Sequence, residues 1–473
     1  MASPNAAPTR ELTTASLWDP ALIARYNLAG PRYTSYPTAA QFRDDVSETQ
    51  WREAITASNE VSAPLSLYFH IPFCNTVCYY CACNKIVTAN RQRASDYLRF
   101  LHREIELQAA AVNPERIVRQ LHWGGGTPTY ISDSEMQSLM TTIRQEFRLA
   151  TDDEGEFSIE VHPGGMAPER IRQLRKLGFN RLSMGVQDFD PEVQQAVNRF
   201  NNVAEVAALV AEIRTSGFKS LSMDLIYGLP LQSEHSFART LDQVIRLQPD
   251  RLSLFNYAHM PQLFKTQRQI DESQLPAAGV KLAILQQSID RLLQEGYEYI
   301  GMDHFARPGD ELALAQMQGT LHRNFQGYST HKDCELLAFG VSAINALGNN
   351  HFQNFKDEPS YTAAITAGKL PLAKRITLSR DDIIRRAVIN ELICNFALDY
   401  QAIEEQFGIR FADYFSAELE RLPALAADGL LALSAGGIAV LPAGRLLVRR
   451  ICMEFDAYID PSQLSGNRFS RII

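Results

Sequence analysis

Residues 65–83 read Leu65-Ser-Leu-Tyr-Phe-His-Ile-Pro-Phe-Cys74-Asn-Thr-Val-Cys78-Tyr-Tyr-Cys81-Ala-Cys83. The apolar start predicts a buried strand over 65–71, and the rest predicts a loop with C-x3-C-x2-C spacing and one further cysteine. Three clustered thiolates suit an iron–sulfur cluster, and a four-iron cluster held by three cysteines keeps one iron open to another ligand. The stretch therefore predicts a catalytic iron–sulfur site at the end of a strand.

The other cysteines argue against a zinc site or a disulfide framework. Cys334, Cys394 and Cys452 are isolated in the sequence, so no second ligand pair of the usual zinc spacing exists. Seven cysteines in 473 residues is an odd number and a low density for a disulfide scaffold. We find no apolar signal region or membrane-spanning run, and so expect a cytoplasmic protein.

Composition sets the broad class. Hydrophobic residues make up 45% of the chain and charged residues 21%, which is ordinary for a globular protein of two or three domains. The net charge of −8 argues against general binding to nucleic acid or to an anionic membrane surface.

From residue 65 the pattern alternates between strand and helix about six times. Strands are predicted over 65–71, 120–123, 157–161, 181–186, 221–227, 251–257 and 297–301, with helices between them over 94–112, from 132, 168–177, 203–216, 236–247 and 280–295. This α/β order favours a partial TIM-like (β/α)6 barrel, with a doubly wound open sheet as the alternative. Both folds bind ligands at the carboxyl ends of their strands.

A glycine run, Gly124-Gly-Gly-Thr-Pro128, follows the second predicted strand. Glycine permits a positive φ and a close approach of the backbone to a ligand. We expect exposed N–H groups here to receive the carboxylate or to surround the amino group of an amino-acid-like ligand. The alternative is a tight strand-to-helix turn without a ligand.

Three domains are predicted. Residues 1–60 form an N-terminal extension whose aromatic segment 32–38 is either a strap on the surface or a lid near the site. Residues 61–350 form the barrel. Residues 351–473 contain helices and a hairpin at about 430–440, which suggests a mainly helical, winged-helix-like domain; the acidic balance argues against DNA binding.

The motifs resemble a known family. The C-x3-C-x2-C loop followed by the glycine run is similar to the radical S-adenosylmethionine (SAM) superfamily. Within it, further motifs resemble the oxygen-independent coproporphyrinogen III oxidases, and the similarity runs from about residue 33 to the C-terminus. These motifs are Tyr68-x-His-Ile-Pro-Phe-Cys74, Cys81-x-Cys83, Asn180-Arg-Leu-Ser-Met-Gly-Val-Gln-Asp188, Asp224-Leu-Ile-Tyr-Gly-Leu-Pro230, Phe255-Asn-Tyr-Ala-His259, Gly301-Met-Asp-His-Phe-Ala-Arg307 and His322-Arg-Asn-Phe-Gln-Gly-Tyr328.

The resemblance implies oxidative decarboxylation of the ring A and B propionates of coproporphyrinogen III to vinyl groups, giving protoporphyrinogen IX in heme biosynthesis. It implies a [4Fe–4S] cluster, two SAM molecules, and an electron donor such as a flavodoxin or ferredoxin. We expect a monomer with no nucleic-acid or membrane partner.

The resemblance also implies roles for single residues. Cys74, Cys78 and Cys81 would hold the cluster, and Tyr68 and Cys83 are the catalytic candidates. The first SAM would contact Tyr68, Gly125, Glu160 and Ile344. The second SAM would contact Tyr80, Gly126, Thr127, Gln187, Arg199, Asp224 and Ala258.

Plainer interpretations of these residues stay open at this point. Glu160, Asp224 and Arg199 suit ligand recognition but also suit ordinary salt bridges at the end of a barrel. Tyr68 suits a core position equally well. Cys83 is either structural or a catalytic helper near the substrate.

Two positions depart from the family pattern. His162 and Gly164 stand where the family commonly has an aspartate and an arginine, which removes two charges beside a proposed ligand contact. The loop at 348–354 also diverges.

A porphyrinogen with four carboxylates needs basic residues, and the candidates are Arg32, Arg307 and Arg323. Three alternatives remain: a radical SAM relative that carries heme without decarboxylating, a non-catalytic iron–sulfur or heme-binding module, and a DNA-binding regulator. Relatives of the carrier kind tend to lack the cysteine at position 83 and the aromatic N-terminal segment, both of which are present here.

Overall fold

The computed structural model describes residues 13–151, 153–459 and 471–473. The chain divides into two compact units. One, here called the barrel unit, comprises residues 39–277 and 331–379; the other, the terminal unit, comprises the described parts of 1–38, 278–330 and 380–473. The linear domain boundaries near residues 60 and 350 stay predictions.

Seven parallel strands form the centre of the barrel unit. They are β1 Leu65–Ile71, β2 Ile117–Gly125, β3 Glu156–Val161, β4 Arg181–Gln187, β5 Ser220–Tyr227, β6 Arg251–Asn256 and β7 Glu335–Phe339. Their spatial order is β6-β5-β4-β3-β2-β1-β7, and every neighbouring pair is parallel. Because β1 to β6 stand in chain order without a reversal, the partial barrel is confirmed over the doubly wound sheet.

Helices connect successive strands. They are α1 Arg91–Ala109, α2 Asp133–Glu146, α3 Pro168–Lys176, α4 Val203–Thr215 and α5 Glu234–Leu247, with a shorter helix at Pro191–Val197. The predicted capping box at Ser132 and Glu135 starts α2. Each helix buries one stripe; in α4 it consists of Val206, Leu209, Val210 and Ile213, at the spacing of one helix face.

The prediction that 297–301 is the last parallel strand is wrong. Glu298–Gly301 pairs antiparallel with His304–Ala306 and belongs to the terminal unit. The reason is local: Gly301 and Met302 have φ of +137° and +56°, so the chain reverses at once and has no room for a crossover helix. The strand that pairs with the outer side of β1 is instead β7, which the periodicity did not reveal.

Beyond β7 the sheet continues with antiparallel strands. They are Ile344–Leu347, Asn350–Asn354 and Leu372–Thr377. Two further helices, Glu48–Val61 and Glu358–Thr366, also belong to this unit.

The terminal unit is mainly helical. A three-stranded antiparallel sheet of Ala397–Asp399, Leu431–Leu433 and Gly437–Val440 includes the predicted hairpin and supports the winged-helix-like description. The principal helices are Pro20–Tyr26, Ala278–Gln294, Glu311–Met317, Arg380–Asn395, Tyr400–Phe407 and Ser416–Ala427. After this sheet the chain forms two short helices, Pro442–Arg445 and Val448–Cys452, followed by a 3-10 turn at Met453–Phe455.

The aromatic N-terminal segment packs within the terminal unit. Tyr33 and Tyr36 are buried, and the Tyr33 hydroxyl donates to Asp456 at 3.0 Å. The Ala457 N–H donates to the Tyr36 hydroxyl, also at 3.0 Å. These contacts fit the strap interpretation, and the lid interpretation stays a hypothesis. Among the described helices, none combines the length and the apolar character that a membrane crossing requires.

Candidate active site

The candidate residues gather at one edge of the sheet. Parallel strands end together, so the loops after β1 and β2 and the last residues of β3, β4 and β5 meet there. The cysteine loop follows β1, the glycine run ends β2, and Glu160 and Gln187 lie at the ends of β3 and β4. The structure thus places these candidate residues together at the carboxyl edge, while their roles stay predictions.

Contacts from several elements hold the cysteine loop. Phe73–Cys74 pairs with Ile86–Val87, which closes the loop at its base. The Cys81 carbonyl accepts from Lys85 Nζ and from Thr266 Oγ1, each at 3.0 Å. Arg199 lies with Nη1 3.6 Å from the Cys78 sulfur. Three sulfurs are thus presented from a loop whose backbone is already fixed.

The thiols differ in acidity. Desolvation raises the pKa of Cys74 to about 11, although a contact with Thr127 Oγ1 at 3.6 Å opposes the shift. The Cys83 thiol donates to the Cys81 sulfur, which lowers the pKa of Cys81 and raises the pKa of Cys83. Cys83 therefore lies in direct contact with Cys81, a contact that the sequence did not reveal.

The glycine run is tightly packed. A Cβ on Gly126 would lie 2.5 Å from the Pro72 carbonyl oxygen, and one on Gly125, at φ +117°, would lie 2.8 Å from the His70 ring. The expectation of free N–H groups is wrong: those of Gly125, Gly126 and Thr127 donate to Glu160 Oε2, Ile71 O and Phe73 O at 3.2, 2.9 and 2.9 Å. The glycine run therefore packs closely against the backbone at the start of the cysteine loop.

Gly126→Ala is expected to weaken SAM binding by at least tenfold. The new methyl group meets backbone, which moves only if the loop after β1 shifts, and such a shift misplaces the site. The matched control is Gly279→Ala, whose added methyl meets nothing within 4 Å. Equilibrium binding of SAM to the anaerobic protein measures the effect; equal affinity in both variants would contradict the packing argument.

Glu160 is held by two neighbours. His122 Nε2 lies 3.2 Å from its Oε1, and His122 Nδ1 lies 2.6 Å from Ser158 Oγ. Desolvation acts to raise the pKa of Glu160, but the hydrogen bonds from His122 and the Gly125 N–H outweigh it and lower that pKa. The side chain keeps 46% exposure, so a fixed carboxylate remains open to a ligand amino or hydroxyl group.

Tyr68 is oriented by a histidine. His70 Nε2 faces the Asn84 carbonyl at 2.9 Å and must carry the proton there, so Nδ1 accepts from the Tyr68 hydroxyl at 3.0 Å. The Tyr68 ring stacks on His122 with centroids 5.8 Å apart. Desolvation raises the pKa of Tyr68 well above its usual value, so this tyrosine is a fixed neutral donor.

Asp224 is a second carboxyl group near Glu160. Desolvation and the charge of Glu160 raise its pKa to about 6, although Ser253 and Ser183, whose Oγ donates at 3.3 Å, oppose the shift. Two carboxyl groups of different acidity thus share this edge of the barrel. Within the described part of the chain, neither forms the salt bridge to an arginine or lysine that was the plainer interpretation.

Gln187 and Arg199 have polar atoms without partners among the described residues. Gln187 has φ +70°, which is costly for a residue other than glycine and is typical of functional sites. Its Oε1 and the Arg199 Nε are buried and make no hydrogen bond within the described chain. Arg199 also donates to the Gly185 carbonyl. A buried amide oxygen and guanidinium N–H that lack partners fit a polar, zwitterionic ligand.

Tyr80 and Ala258 are joined by one side chain. Gln267 Nε2 donates to both backbone carbonyls, at 3.0 and 3.2 Å. The Tyr80 hydroxyl donates to Cys78, and desolvation raises the pKa of Tyr80 well above its usual value. Ile344 begins the strand Ile344–Leu347 after β7 and pairs with Gln353 of the next strand.

His162 occupies the position of the family aspartate. Burial and the charge of Arg199 lower the pKa of His162 to about 3, so the imidazole is neutral. Its Nδ1 accepts from the Gly164 N–H at 2.9 Å. A neutral ring beside Arg199 leaves the guanidinium charge to pair with something else.

The sequence did not identify two histidines that hold candidate residues in place. His70 and His122 orient Tyr68 and Glu160, as the distances above show. Both have a signal in the sequence: each lies two residues from a residue of the same strand face, His70 from Tyr68 and His122 from Gly124. Their role was hidden because a histidine in a strand is unremarkable without its neighbours.

Comparison with known proteins bears on this geometry. The model of the radical SAM superfamily matches residues 68–244, and the model of the HemN C-terminal domain matches residues 378–447. The oxygen-independent coproporphyrinogen III oxidase of Pseudomonas aeruginosa is 50% identical over 96% of this chain and 99% of its own length. The chain belongs to the oxygen-independent coproporphyrinogen III oxidase family.

Two further members of the family support this assignment. The oxidase of Salmonella typhimurium is 52% identical over 96% of this chain and 98% of its own length. The solved structure of coproporphyrinogen III oxidase (HemN) from Escherichia coli, a radical SAM enzyme, superposes with a TM-score of 0.89 at 49% identity and covers 94% of this chain and all of that one. The chain is thus a radical SAM oxidoreductase, a class that uses an iron–sulfur cluster and SAM.

Proposed function

We propose that this enzyme converts coproporphyrinogen III to protoporphyrinogen IX without oxygen. Two contacts at one edge of the barrel carry the proposal. Arg199 lies against the Cys78 sulfur of the cysteine loop, and the Gly125 N–H of the glycine run donates to Glu160. The substrate is inferred from the full-length similarity to an oxygen-independent coproporphyrinogen III oxidase. The cytoplasm is the proposed compartment, with a flavodoxin or ferredoxin as electron donor to a monomer.

Residues of this chain are suited to bind both an iron–sulfur cluster and SAM. Cys74, Cys78 and Cys81 would hold the [4Fe–4S] cluster, and the unpartnered polar atoms of Gln187 and Arg199 would meet SAM. When bound, the cluster and SAM supply a 5′-deoxyadenosyl radical able to remove a hydrogen atom from a propionate side chain. The substrate then loses that hydrogen atom, carbon dioxide and one further electron for each vinyl group formed.

Side chains of this protein hold the groups that would contact the ligands in fixed positions. Tyr68, fixed by His70, presents a neutral hydroxyl, and Glu160, fixed by His122, presents a carboxylate. Both are rigid before any ligand arrives, so little ordering is needed on binding. Cys83 donates to Cys81 and stands as the proposed catalytic helper, since its thiol is held protonated beside the cluster loop.

The test of this function is an anaerobic turnover assay. The enzyme with its reconstituted cluster receives a reductant, SAM and coproporphyrinogen III. Protoporphyrinogen IX and 5′-deoxyadenosine are expected together. If deoxyadenosine forms and coproporphyrinogen III is unchanged, the alternative of a radical SAM heme carrier is favoured instead.

We further propose two SAM sites, with Tyr68, Gly125, Glu160 and Ile344 at the first. The second would consist of Tyr80, Gly126, Thr127, Gln187, Arg199, Asp224 and Ala258. Interactions among Gln187, Arg199 and Gly185 support the second site, because an ideal Cβ on Gly185 would lie 2.8 Å from both long side chains.

Asp224→Ala is expected to lower the SAM stoichiometry from two to one per chain. The carboxyl group accepts from Ser183 and Ser253 and can accept from a ligand, whereas alanine cannot. Titration of the anaerobic enzyme with SAM measures the number of sites. Asp242→Ala, on helix α5, is the control and keeps two; two sites in Asp224→Ala would remove that residue from the second set.

Arg323 is the strongest of the three basic candidates for a substrate carboxylate. Arg32 forms an ion pair with Asp303, and Arg307 lies over the Tyr297 ring at 4.7 Å. Arg323 is 5% exposed and lies over the Tyr328 ring, and its Nε and Nη1 have no hydrogen-bond partner within the described residues. A buried guanidinium without a carboxylate favours an anionic ligand.

Arg323→Gln is expected to raise the KM for coproporphyrinogen III by about tenfold or more, since a charged hydrogen bond contributes about 1.5–3 kcal/mol. SAM affinity should not change. Arg410→Gln is the control, because Arg410 is 82% exposed and pairs only with nearby Asp413 among its described contacts. An unchanged KM in Arg323→Gln would sink the assignment.

A further inference from the structure

A second group of metal-ligating side chains lies at the opposite edge of the barrel. Within His331-Lys-Asp-Cys334, one ligand atom each of His331, Asp333 and Cys334 lies within 4.8 Å of the others. Glu156 Oε1 adds a fourth, 3.6 Å from His331 Nε2. The cysteine that is isolated in the sequence is therefore not isolated in the fold.

The location separates this group from the active site. Glu156 is the first residue of β3, and Cys334 immediately precedes β7. Both positions are at the amino ends of parallel strands, whereas the cysteine loop and the glycine run are at the carboxyl ends. The group is thus on the face that parallel barrels use for stability rather than catalysis.

The backbone and neighbours already hold the four side chains near one another. The Cys334 N–H donates to the His331 carbonyl at 3.4 Å, which folds residues 331–334 into a turn. Gln120 Nε2 donates to Glu156 Oε2 at 2.9 Å, and Glu156 Oε1 lies on the His331 side, 3.6 Å from Nε2. The Glu335 N–H donates to Pro64 O at 3.0 Å and anchors the end of the turn to the strand β1.

The geometry points to a structural zinc site formed by His331, Asp333, Cys334 and Glu156. One imidazole, one thiolate and two carboxylates suit Zn²⁺, whereas Mg²⁺ and Ca²⁺ prefer oxygen ligands alone. Tetrahedral zinc with bonds of about 2.0–2.3 Å requires ligand atoms roughly 3.3–3.8 Å apart. The ligand atoms of His331, Asp333 and Cys334 lie within 4.8 Å of one another, and Glu156 Oε1, 3.6 Å from His331 Nε2, would complete the shell. Four protein ligands leave no open position, which is typical of structural zinc.

Charge balance supports a divalent ion. Binding displaces the thiol proton to solvent, so Zn²⁺ with one thiolate and two carboxylates has a net charge of −1. The Arg119 guanidinium interacts with Cys334 and supplies positive charge beside the group. Arg116, also near Cys334, is already paired with Glu335 at 2.7 Å. The ion would join the turn before β7 to the start of β3.

The test uses the full chain with its iron–sulfur cluster in place and Zn²⁺ alone as the probe. After removal of excess metal, metal analysis is expected to find one zinc per chain in addition to the iron of the cluster. His331→Gln/Cys334→Ser should weaken zinc binding by about 100-fold or more, and Lys332→Ala, in the same turn, should not. X-ray absorption at the zinc edge should show one sulfur ligand, with nitrogen and oxygen ligands completing the shell.

Stability provides a second measurement in the same proteins. Zinc should raise the melting temperature of the wild-type chain and of Lys332→Ala but not that of the double variant, while all three melt alike without zinc. Equal zinc content in the wild-type chain and the double variant would overturn the proposal. So would a zinc shell of three or four sulfurs, which would place the ion at the cysteines of the 74–83 loop.

Discussion

Cys81→Ser is expected to lose the cluster and all SAM cleavage, whereas Cys83→Ser keeps both. The two cysteines are two residues apart, yet the site uses them differently: Cys81 is a proposed iron ligand, and Cys83 donates a hydrogen bond to it. Serine is a poor ligand for the soft iron–sulfur unit, and Cys83, the remaining cysteine of the loop, lies outside the C-x3-C-x2-C spacing.

Iron content and deoxyadenosine formation measure this difference. We expect about four irons per chain in the wild-type protein and in Cys83→Ser, and almost none in Cys81→Ser. Loss of the donor to Cys81 should instead alter the reduction potential of the cluster in Cys83→Ser, because hydrogen bonds to the sulfurs tune it. A Cys81→Ser protein that cleaves SAM would show that the ligand assignment is wrong.

Glu104→Ala is expected to destabilise the protein by about 3–5 kcal/mol, since it removes the shared acceptor of a buried hydrogen-bond network. Glu104 on helix α1 is 0% exposed, and its carboxylate accepts four hydrogen bonds. The donors are the Gly340 N–H at 2.7 Å, the Tyr361 hydroxyl at 2.6 Å, Asn354 Nδ2 at 2.7 Å and Gln108 Nε2 at 2.9 Å. The variant removes the acceptor of all four donors, and among the described contacts only Asn354 Nδ2 and Gln108 Nε2 keep a second one, the carbonyl oxygens of Gly340 and Ala338.

The pH dependence of stability distinguishes this role from simple packing. Burial raises the pKa of Glu104 from 4.5 to about 7, despite the four hydrogen bonds. Between these values the folded chain holds a proton that the unfolded chain releases, so the contribution of Glu104 to stability falls as pH rises from about 4.5 to 7 and is constant above.

Chemical denaturation at pH 5 and pH 7.5 measures both effects. The difference in unfolding free energy between the wild-type chain and Glu104→Ala should be larger at pH 5. Glu106→Ala, on the exposed side of the same helix, pairs with Arg103 and should change stability by less than about 0.5 kcal/mol at either pH. A loss in Glu104→Ala no greater than that of the control would contradict the network.

The sequence was informative where a pattern is local. The strand 65–71, the capping box of α2 and the location of the site at the carboxyl edge follow from hydrophobic spacing, a short capping motif and the rule for parallel sheets. The cysteine spacing and the family motifs led to the radical SAM assignment, which the comparisons confirm.

What the sequence did not reveal depends on contacts between distant residues. The pairing of β7 with β1 joins residues about 270 positions apart, and no periodicity encodes it. The N–H groups of the glycine run are occupied by Glu160, Ile71 and Phe73, which only the folded geometry shows. The His331 and Glu156 pair at the other edge was hidden for the same reason.

One measurement tests the proposed reaction most directly: the transfer of deuterium from substrate to 5′-deoxyadenosine. Coproporphyrinogen III deuterated in its propionate side chains is incubated anaerobically with the reduced enzyme and SAM, and both products are analysed by mass spectrometry. Deuterium is expected in deoxyadenosine, together with the loss of two carboxyl groups from the porphyrinogen. Unlabelled deoxyadenosine beside intact coproporphyrinogen III would contradict it.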